Sequence, residues 1–377
     1  MTALAVTGWG VLSSAGIGQD AMVATIAKRA DEINPGRAVG EMYVERLPSL
    51  QAHALVDFNI KQLLGRKGTT FLDRRCALAL VACDQAIEDS GINVDDENRH
   101  RVGIALGTTW GSMKSMCDYT RDTLTEERPY LVNPILFPNT VMNCAAGQAA
   151  IRYGLKGVNA TLAGDQIAFL SVLRYVANVL RCSYADVILA GAVDEFTPHA
   201  AWATHLAAST ETPLTAGEGA GVFVIQRRSD ATCAGRHFDA EVLSVVMGFV
   251  PGAEPSGGMT RALEGCIRSA LRKANVRPED LSAVATGETG DDGRDRVEAD
   301  ALRCVLGNIP VERVPVKKAL GECHAATGAL QLAALLALHR DELSRDGRFS
   351  LITGWAPDGG IGAAVLRGWS RAGSHHW

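Results

Sequence analysis

The chain has 377 residues, of which 21% are charged and 47% are hydrophobic, a composition close to that of an average globular protein. Its 37 basic and 42 acidic residues give a net charge of −5. This charge argues against nucleic-acid binding, because no surplus of lysine and arginine is available to neutralise phosphates. The longest uncharged stretch, residues 323–339, is too short to span a membrane, and the N-terminus lacks the pattern of a signal peptide. We therefore expect a cytoplasmic protein with no nucleic-acid or membrane partner.

Nine cysteines occur singly along the chain, and none of them belongs to a C-x-x-C pair. Most lie in apolar surroundings, where a free thiol behaves as a small hydrophobic side chain. An odd number of scattered cysteines argues against a disulfide framework or a zinc site. We expect no metal and no cofactor.

The first part of the chain alternates short apolar strands with helices. Apolar, β-branched runs predict strands at residues 3–12, 102–107, 186–192 and 221–226. Helical patterns cover residues 71–90 and 168–180, and the second is apolar on nearly every face, which predicts burial. This alternation is typical of α/β layers.

The second part of the chain repeats the scheme. Strands are predicted at residues 241–250, 281–287, 349–353 and 362–367, and helices at 259–274, 295–306 and 328–339. Two similar α/β halves suggest an internal duplication, although no residue-level repeat is visible. We predict an N-terminal half of residues 1–240 and a C-terminal half of residues 241–377.

A glycine-rich run, Gly-Glu-Gly-Ala-Gly, occupies residues 217–221. A phosphate-binding loop leads into a helix N-terminus, whereas this run precedes a predicted strand. Close packing of the backbone against a neighbouring element is the better interpretation.

Five segments of the chain carry a family resemblance in the right order and spacing. They are residues 5–14, the Gly-Thr-Thr-Trp-Gly turn at 107–111, residues 138–148, residues 153–157, and the glycine-rich run at 217–221. Together they resemble the β-ketoacyl synthases, condensing enzymes of the thiolase-like fold. The resemblance covers nearly the whole chain. It implies two duplicated α/β halves in a layered α-β-α-β-α arrangement.

The nucleophile position departs from the family pattern. Active ketosynthases carry a cysteine about nine residues after the glycine that matches Gly157, on a turn where a helix N-terminus lowers the thiol pKa. In this chain Gln166 stands there. An amide cannot form the acyl-thioester that condensation requires.

The two catalytic histidines of the family are also replaced. Gly287 falls where the first belongs, after the strand at 281–287. Lys317 and Gly321 match the pattern around the second, but Glu322 stands at the histidine position. The missing imidazoles would stabilise an enolate. Glycine has no side-chain donor, and an ionised glutamate would oppose the developing negative charge, so we expect no catalytic residue in this chain.

Glutamine in place of the cysteine is the pattern of chain-length factors, the inactive partners of ketosynthases in type II polyketide synthases. The resemblance implies a heterodimer in which an active ketosynthase subunit supplies the catalytic residues. This chain would form much of the far wall of the tunnel that sets polyketide chain length. An acyl carrier protein bearing a malonyl group or the polyketide chain would be a further partner.

Three alternatives remain at this stage. An alignment slipped by two residues would place Cys323 or His324 in the site, but it would break the match at Lys317, Gly321 and Gly328. A free-standing malonyl-thioester decarboxylase, or a condensing enzyme with a rearranged site, is the second alternative. A degenerate homodimeric scaffold with no tunnel role is the third.

The resemblance also suggests an interface and a tunnel wall. The strand at residues 158–162 pairs across the dimer axis in this family, which makes Ala160 and Leu162 candidate interface residues. Ser112 is a plausible helix cap, and Met113, Met116 and Thr120 follow it on one helical face. The residues alone favour an ordinary core stripe there. The resemblance instead implies that this face borders the substrate tunnel.

Overall fold

The computed structural model describes residues 3–28, 36–48, 50–207, 215–251 and 257–371. The strands are β1 Leu4–Ser13, β2 Gly16–Ile17, β3 Arg37–Ala38, β4 Gln51–Ala52, β5 Val102–Thr108, β6 Asn159–Ala163, β7 Val187–Asp194, β8 Gly219–Arg227, β9 Ala240–Phe249, β10 Leu281–Thr286, β11 Glu312–Pro315, β12 Phe349–Trp355 and β13 Gly360–Gly368. The helices are α1 Gln19–Ile26, α2 Ile60–Leu64, α3 Arg74–Ser90, α4 Met113–Thr125, α5 Cys144–Tyr153, α6 Ala168–Arg181, α7 Pro198–Ala207, α8 Arg228–Cys233, α9 Gly257–Ala274, α10 Asp292–Leu306, α11 Val316–Leu320 and α12 Ala326–Arg340. Within these ranges no helix is long and apolar enough to cross a lipid bilayer.

The two halves of the chain have the same strand topology. The hydrogen-bonded order is β6-β5-β7-β8-β1 in the first half and β11-β10-β12-β13-β9 in the second. In each set the first three strands are parallel and the remaining pairings are antiparallel. The predicted duplication is therefore confirmed, with β6 equivalent to β11 and β1 equivalent to β9. The boundary after residue 240 stays a prediction.

A short antiparallel contact joins the two halves. Residues 4–6 of β1 pair with residues 240–242 of β9. This contact links both sets into one path of ten strands, and the short β2, which pairs with β1 beside this path, brings the sheet to eleven strands.

Two helices fill the space between the halves. Residues of α6 and α12 form one apolar core with strands of both halves, and both helices are buried on nearly every face. The predicted burial of the apolar residues of α6 is therefore confirmed. On the outer sides, α3 and α5 cover the first sheet, while α9 and α10 cover the second. This succession is the predicted α-β-α-β-α layering.

Local signals explain where the first long helix begins and ends. The sequence predicted it at 71–90, but α3 begins at Arg74 because the Asp73 carboxylate accepts a hydrogen bond from the Cys76 amide at 2.6 Å. It ends at Gly91, whose φ of 61° is a left-handed conformation that glycine adopts at no steric cost.

The glycine-rich run at 217–221 packs closely against the C-terminal half. A Cβ atom on Gly221 would lie 3.0 Å from the Cβ of Ala329 in α12. A Cβ atom on Gly217 would lie 2.7 Å from the carbonyl oxygen of Leu320. The run leads into β8 rather than into a helix, which confirms the packing interpretation.

Candidate functional site

We call Gln166, Gly287 and Glu322, which replace the catalytic residues of the family, the degenerate positions. Two of them lie where the buried helices α6 and α12 begin. Gln166 belongs to the 3-10 turn Asp165–Ile167, between β6 and α6. Glu322 lies between α11 and α12, and its backbone is fixed by hydrogen bonds: its amide donates to the Thr215 carbonyl at 2.8 Å, and its carbonyl accepts from the Gly217 amide at 2.9 Å. Because β6 and β11 are equivalent strands, these two turns occupy equivalent places in the two halves.

The structure brings all three degenerate positions together. The Gln166 side-chain amide donates to Glu322 Oε2 at 3.2 Å, across 156 residues of sequence. Gly287 follows the end of β10, and a Cβ atom there would lie 3.6 Å both from Lys317 Cε and from Glu298 Oε2. Lys317 in turn contacts Glu322.

The Glu322 carboxylate is the centre of this site. Besides Gln166, it accepts hydrogen bonds from Lys317 Nζ at 2.6 Å, from the His324 backbone amide at 2.9 Å and from the Thr327 hydroxyl at 3.5 Å. The Lys317 and Glu322 side chains are each only 5% exposed. Burial alone would raise the pKa of Glu322, but the charges of Lys317 and His324 hold it below its ordinary value. The group is therefore an ionised, fully paired carboxylate at neutral pH.

A second buried carboxyl lies beside Gly287. The Gly287 amide donates to Glu298 Oε2 at 2.9 Å, and the Thr353 hydroxyl donates to Glu298 Oε1. Burial raises the pKa of Glu298 to about 7. Gly287 thus contributes only its backbone to this part of the site.

Next to these groups Asp165 and His324 form a polar pair. Asp165 Oδ1 lies 3.3 Å from His324 Nδ1, and the Trp110 ring packs edge-on against the imidazole with ring centroids 4.7 Å apart. Both residues of the pair have positive φ, 43° and 47°, a region that residues other than glycine seldom adopt away from functional or strained sites. Burial alone would lower the pKa of His324, but the bond to Asp165 and the charges of Glu322 and Asp194 raise it. Sequence analysis considered His324 only through a slipped alignment and did not predict its contact with Asp165.

Cys323 does not supply a replacement nucleophile. Its side chain is buried and its thiol donates to the Leu320 carbonyl at 3.4 Å. Burial raises the pKa of this thiol well above its ordinary value, whereas the nucleophilic species is the thiolate. A slipped alignment would introduce Cys323 and His324. Of these two, only His324 therefore presents a side chain at the site that could transfer a proton.

The predicted interface strand is an open sheet edge. Among the described strands, β6 pairs only with β5. Asn159 and Ala163 are exposed, while Ala160 and Leu162 are half-buried with their side chains against the central core. The part of β6 that is free to pair is therefore its backbone, not the side chains of Ala160 and Leu162.

The predicted tunnel helix is not part of the core. The Ser112 hydroxyl caps α4 by accepting from the Ser115 amide, as predicted. No residue of α4 is buried: Met113 is half-buried, Met116 is 43% exposed and Thr120 is exposed. The core interpretation of this stripe is wrong, because none of its side chains is buried.

An exposed apolar surface surrounds this stripe. The helix α4 packs against the 3-10 segments Pro129–Leu131 and Pro134–Thr140, which also expose large apolar side chains. We define the α4 face as the exposed residues Trp110, Met116, Tyr130, Leu131, Ile135, Phe137, Val141 and Met142. Apolar patches of this extent mark interaction surfaces or ligand sites on soluble proteins.

Comparison with known proteins gives two family matches that together cover most of the chain. Residues 1–231 match the N-terminal domain of β-ketoacyl synthase, and residues 252–346 match its C-terminal domain. The chain belongs to the β-ketoacyl synthase family. Its duplicated, five-layered architecture is the thiolase-like fold of that family.

Three relatives illustrate the range of the family. The solved structure described as the ishigamide ketosynthase/chain length factor is 32% identical, with a TM-score of 0.85, and the match covers 97% of this chain and 99% of that one. A type II polyketide synthase acyl-carrier protein in complex with its ketosynthase, bound to the hexaketide, gives a TM-score of 0.80 at 17% identity over 97% and 99% of the two chains, a likeness of fold alone. The 3-oxoacyl-[acyl-carrier-protein] synthase 2 of Vibrio cholerae is 27% identical over 301 residues, 73% of this chain and 71% of that protein. Because this last relative is named as a synthase, membership of the ketosynthase family does not decide whether this chain is active.

Proposed function

We propose that this ketosynthase homologue is a non-catalytic chain-length factor. It pairs with an active β-ketoacyl synthase and shapes the tunnel in which a polyketide chain grows. The observation that carries the proposal is the state of the degenerate site, where Gln166, Lys317 and Glu322 bind one another.

The chemistry of that site supports a role without condensation. Acyl transfer needs a nucleophile, and the Gln166 amide is not one. Enolate stabilisation needs donors aimed at the developing charge. The donors present here are already engaged by the Glu322 carboxylate, and Gly287 adds no side chain.

The surface supports a role in a complex. The open β6 edge and the α4 face leave backbone groups and apolar side chains uncovered in the isolated chain. A ketosynthase partner would cover both. The likeness to a ketosynthase/chain length factor structure supports this partner, and the likeness to a ketosynthase bound to its acyl-carrier protein supports a carrier protein as the source of the acyl chain.

The first test is acylation. After incubation of the complex with an acyl-thioester, mass spectrometry should find no acyl group on residues 157–173 of this chain, while the partner's nucleophile is labelled. The variant Gln166→Cys is the matched control, because it places a thiol at the same helix N-terminus. A stable adduct on the unmodified peptide would refute the non-catalytic assignment.

The second test is product length. If Met113, Met116 and Thr120 line the tunnel, Met113→Trp and Thr120→Phe should shorten the products, and Met116→Ala should admit longer ones. Thr125→Phe is the control, because it makes the same substitution at the exposed end of α4, on a different face. The measurement is the length distribution made by the reconstituted complex. An unchanged distribution in all three variants would remove these residues from the tunnel wall.

Malonyl-thioester decarboxylation by this chain alone is the second candidate, because the His324 imidazole lies beside the degenerate site. Release of carbon dioxide from malonyl carrier protein, measured with the purified chain alone and with its partner, separates the two functions. Activity of the chain alone that is lost in His324→Ala would favour the decarboxylase. Size measurement after co-expression with a ketosynthase shows whether a heterodimer or a homodimer forms.

A further inference from the structure

Four hydrogen-bond donors from separate segments converge on the Glu322 carboxylate. Lys317 Nζ and the Gln166 amide approach Oε2, at 2.6 Å and 3.2 Å. The His324 backbone amide and the Thr327 hydroxyl approach Oε1, at 2.9 Å and 3.5 Å. We name these four donors the carboxylate cradle.

The cradle has the composition of an anion-binding site. It combines one buried ammonium group, one backbone amide and a hydroxyl at the N-terminal end of α12, and a neutral side-chain amide from the other half of the chain. Backbone amides at a helix start and a fixed cation are the usual ligands of carboxylates and phosphates in proteins. The ligand present here belongs to the chain itself.

The cradle is held by structure that does not involve the Glu322 side chain. Lys317 is part of α11, whose Val316 and Leu320 are buried. The next residue, Gly321, has a φ of 77°, and a Cβ atom on it would lie 2.9 Å from His53. The Glu322 backbone is itself bound to the segment that precedes β8. These contacts keep the donors in place when the side chain is shortened.

We propose that the cradle is a binding site for a small carboxylate and that Glu322 fills it as an intramolecular ligand. In the native chain this occupancy excludes the carboxylate of an incoming acyl group, such as a malonyl group. The atoms of Glu322 beyond Cβ are a CH₂ and a carboxylate, the same four heavy atoms as acetate. Replacing Glu322 by alanine therefore leaves a space of the size and polarity of acetate. The proposal concerns this chain's own site and does not depend on the chain-length role.

The test is rescue of Glu322→Ala by acetate and malonate in the purified full-length chain, at constant ionic strength with chloride as the reference anion. Acetate should stabilise the variant with the concentration dependence of a single native-state site, so that free acetate at 100 times its dissociation constant lowers the unfolding equilibrium constant about 100-fold. Glu322→Gln is the matched control, because its side chain keeps the space filled, and it should not respond. The double variant Glu322→Ala/Lys317→Met should bind acetate at least about tenfold more weakly, because the cation of the cradle is gone.

Two results would overturn the proposal: a response of Glu322→Ala to acetate no larger than its response to chloride, or an equal response of Glu322→Gln. The alanine variant could fail to accumulate in folded form. The readout is then the yield of folded protein from cells lysed and purified in acetate, compared with the yield in chloride. Equal yields contradict the proposed site. Failure of the chain to pair with a ketosynthase would instead refute the proposed function and leave this binding result intact.

Discussion

The outermost strands of the two halves hold equivalent places in the fold but differ in sequence. β6, at the edge of the first half, contains no charged residue. β11, at the edge of the second, reads Glu-Arg-Val-Pro. Glu312 of β11 pairs with Arg345 at 2.8 Å, and Arg313 pairs with Glu288 at 2.6 Å. Charges and proline on an edge strand oppose pairing with another chain. The comparison teaches that a duplicated fold can protect one sheet edge and leave the equivalent edge open.

The segments that follow these strands also differ, in the charge of the side chain at the degenerate position. The turn after β6 carries the neutral Gln166, whereas the segment after β11 carries an ionised Glu322 and its counter-ion Lys317. At the degenerate position itself the first half therefore has a neutral side chain, next to Asp165, and the second half has a buried ion pair. The sheet edge is open in the first half and protected in the second. Variants that remove one of these differences test the comparison.

The largest effect is expected from breaking the buried ion pair of the second half. Lys317→Met leaves the Glu322 carboxylate buried without its cation, which should lower the free energy of unfolding by about 3–5 kcal/mol. Gln166→Leu, in the equivalent turn, removes only a neutral donor and should cost about 1–2 kcal/mol. Denaturant unfolding of the complex measures both.

The double variant Lys317→Met/Glu322→Leu sharpens this result. It removes both charges and should recover most of the stability that Lys317→Met loses, because a well-packed apolar pair often replaces a buried ion pair at little cost. If Lys317→Met loses no more free energy of unfolding than Gln166→Leu, charge at the two degenerate positions does not distinguish their contributions to stability.

The next effect is the pH dependence of stability that Glu298 contributes in the second half. Burial raises the folded-state pKa of Glu298 from 4.5 to about 7, so below pH 4.5 the carboxyl is protonated in both states. As the pH rises to 7 the unfolded chain loses this proton and the folded chain keeps it, which lowers the free energy of unfolding by about 3 kcal/mol. Glu298→Gln should abolish this decline and gain stability over the parent as the pH rises. If the free energy of unfolding depends on pH in the same way in the parent and in Glu298→Gln, this prediction is wrong.

A smaller effect is expected from blocking the β6 edge. The Ile104 amide donates to the Val158 carbonyl, so the ladder should direct the amides of Ala160 and Leu162 toward β5 and that of Thr161 outward. Thr161→Pro removes an outward donor and should raise the dissociation constant of the heterodimer by about tenfold or more. Thr161→Val keeps the amide and should bind as the parent does. Equal affinities of the two variants would exclude pairing through this edge.

Lysine at Ala160 or Leu162 should also make the chain insoluble or prevent copurification with its partner. Both side chains pack against the central core, so this result would report on folding as well as on pairing. Thr161→Pro is the cleaner test, since proline is tolerated on an edge strand where the missing amide faces outward.

The smallest effect on stability is expected at the protected edge. Glu312→Val/Arg313→Val removes two partly exposed ion pairs, which should change the free energy of unfolding by less than about 1 kcal/mol. The same change should increase self-association, measured by light scattering, because β11 then resembles β6. Unchanged scattering would show that charge does not protect this edge.

Sequence patterns predicted the buried framework of both halves. The central strands are continuous apolar runs and α6 is apolar on nearly every face, so local sequence determines both type and burial. The short, charged β11 was not predicted, because its pairing depends on its neighbour β10 rather than on its own pattern. The stripe on α4 was misread from the residues alone as core, since periodicity shows that a helix has an apolar face but not what covers it.

The degenerate positions could be located in the sequence only through the family resemblance. Their mutual contacts could not be predicted, because Gln166 and Glu322 are 156 residues apart. An ionised Glu322 was expected to oppose the negative charge of an enolate, and no ion pair with it was predicted. In the structure Lys317, five residues earlier in the chain, neutralises it. The Asp165–His324 pair depends on two left-handed backbone conformations that no residue pattern predicts.

The central place of β1 affects how the chain can be synthesised. β1 leaves the ribosome long before its partners, which are β8 at Gly219–Arg227 and β9 at Ala240–Phe249. Pairing over such sequence separations makes folding slow and leaves partly folded intermediates. β6 is translated well before either partner, so a nascent chain carries its uncovered edge while the sheet is still incomplete. We expect production of this chain to benefit from chaperones that hold nascent chains and, under the proposed function, from co-translational encounter with a ketosynthase.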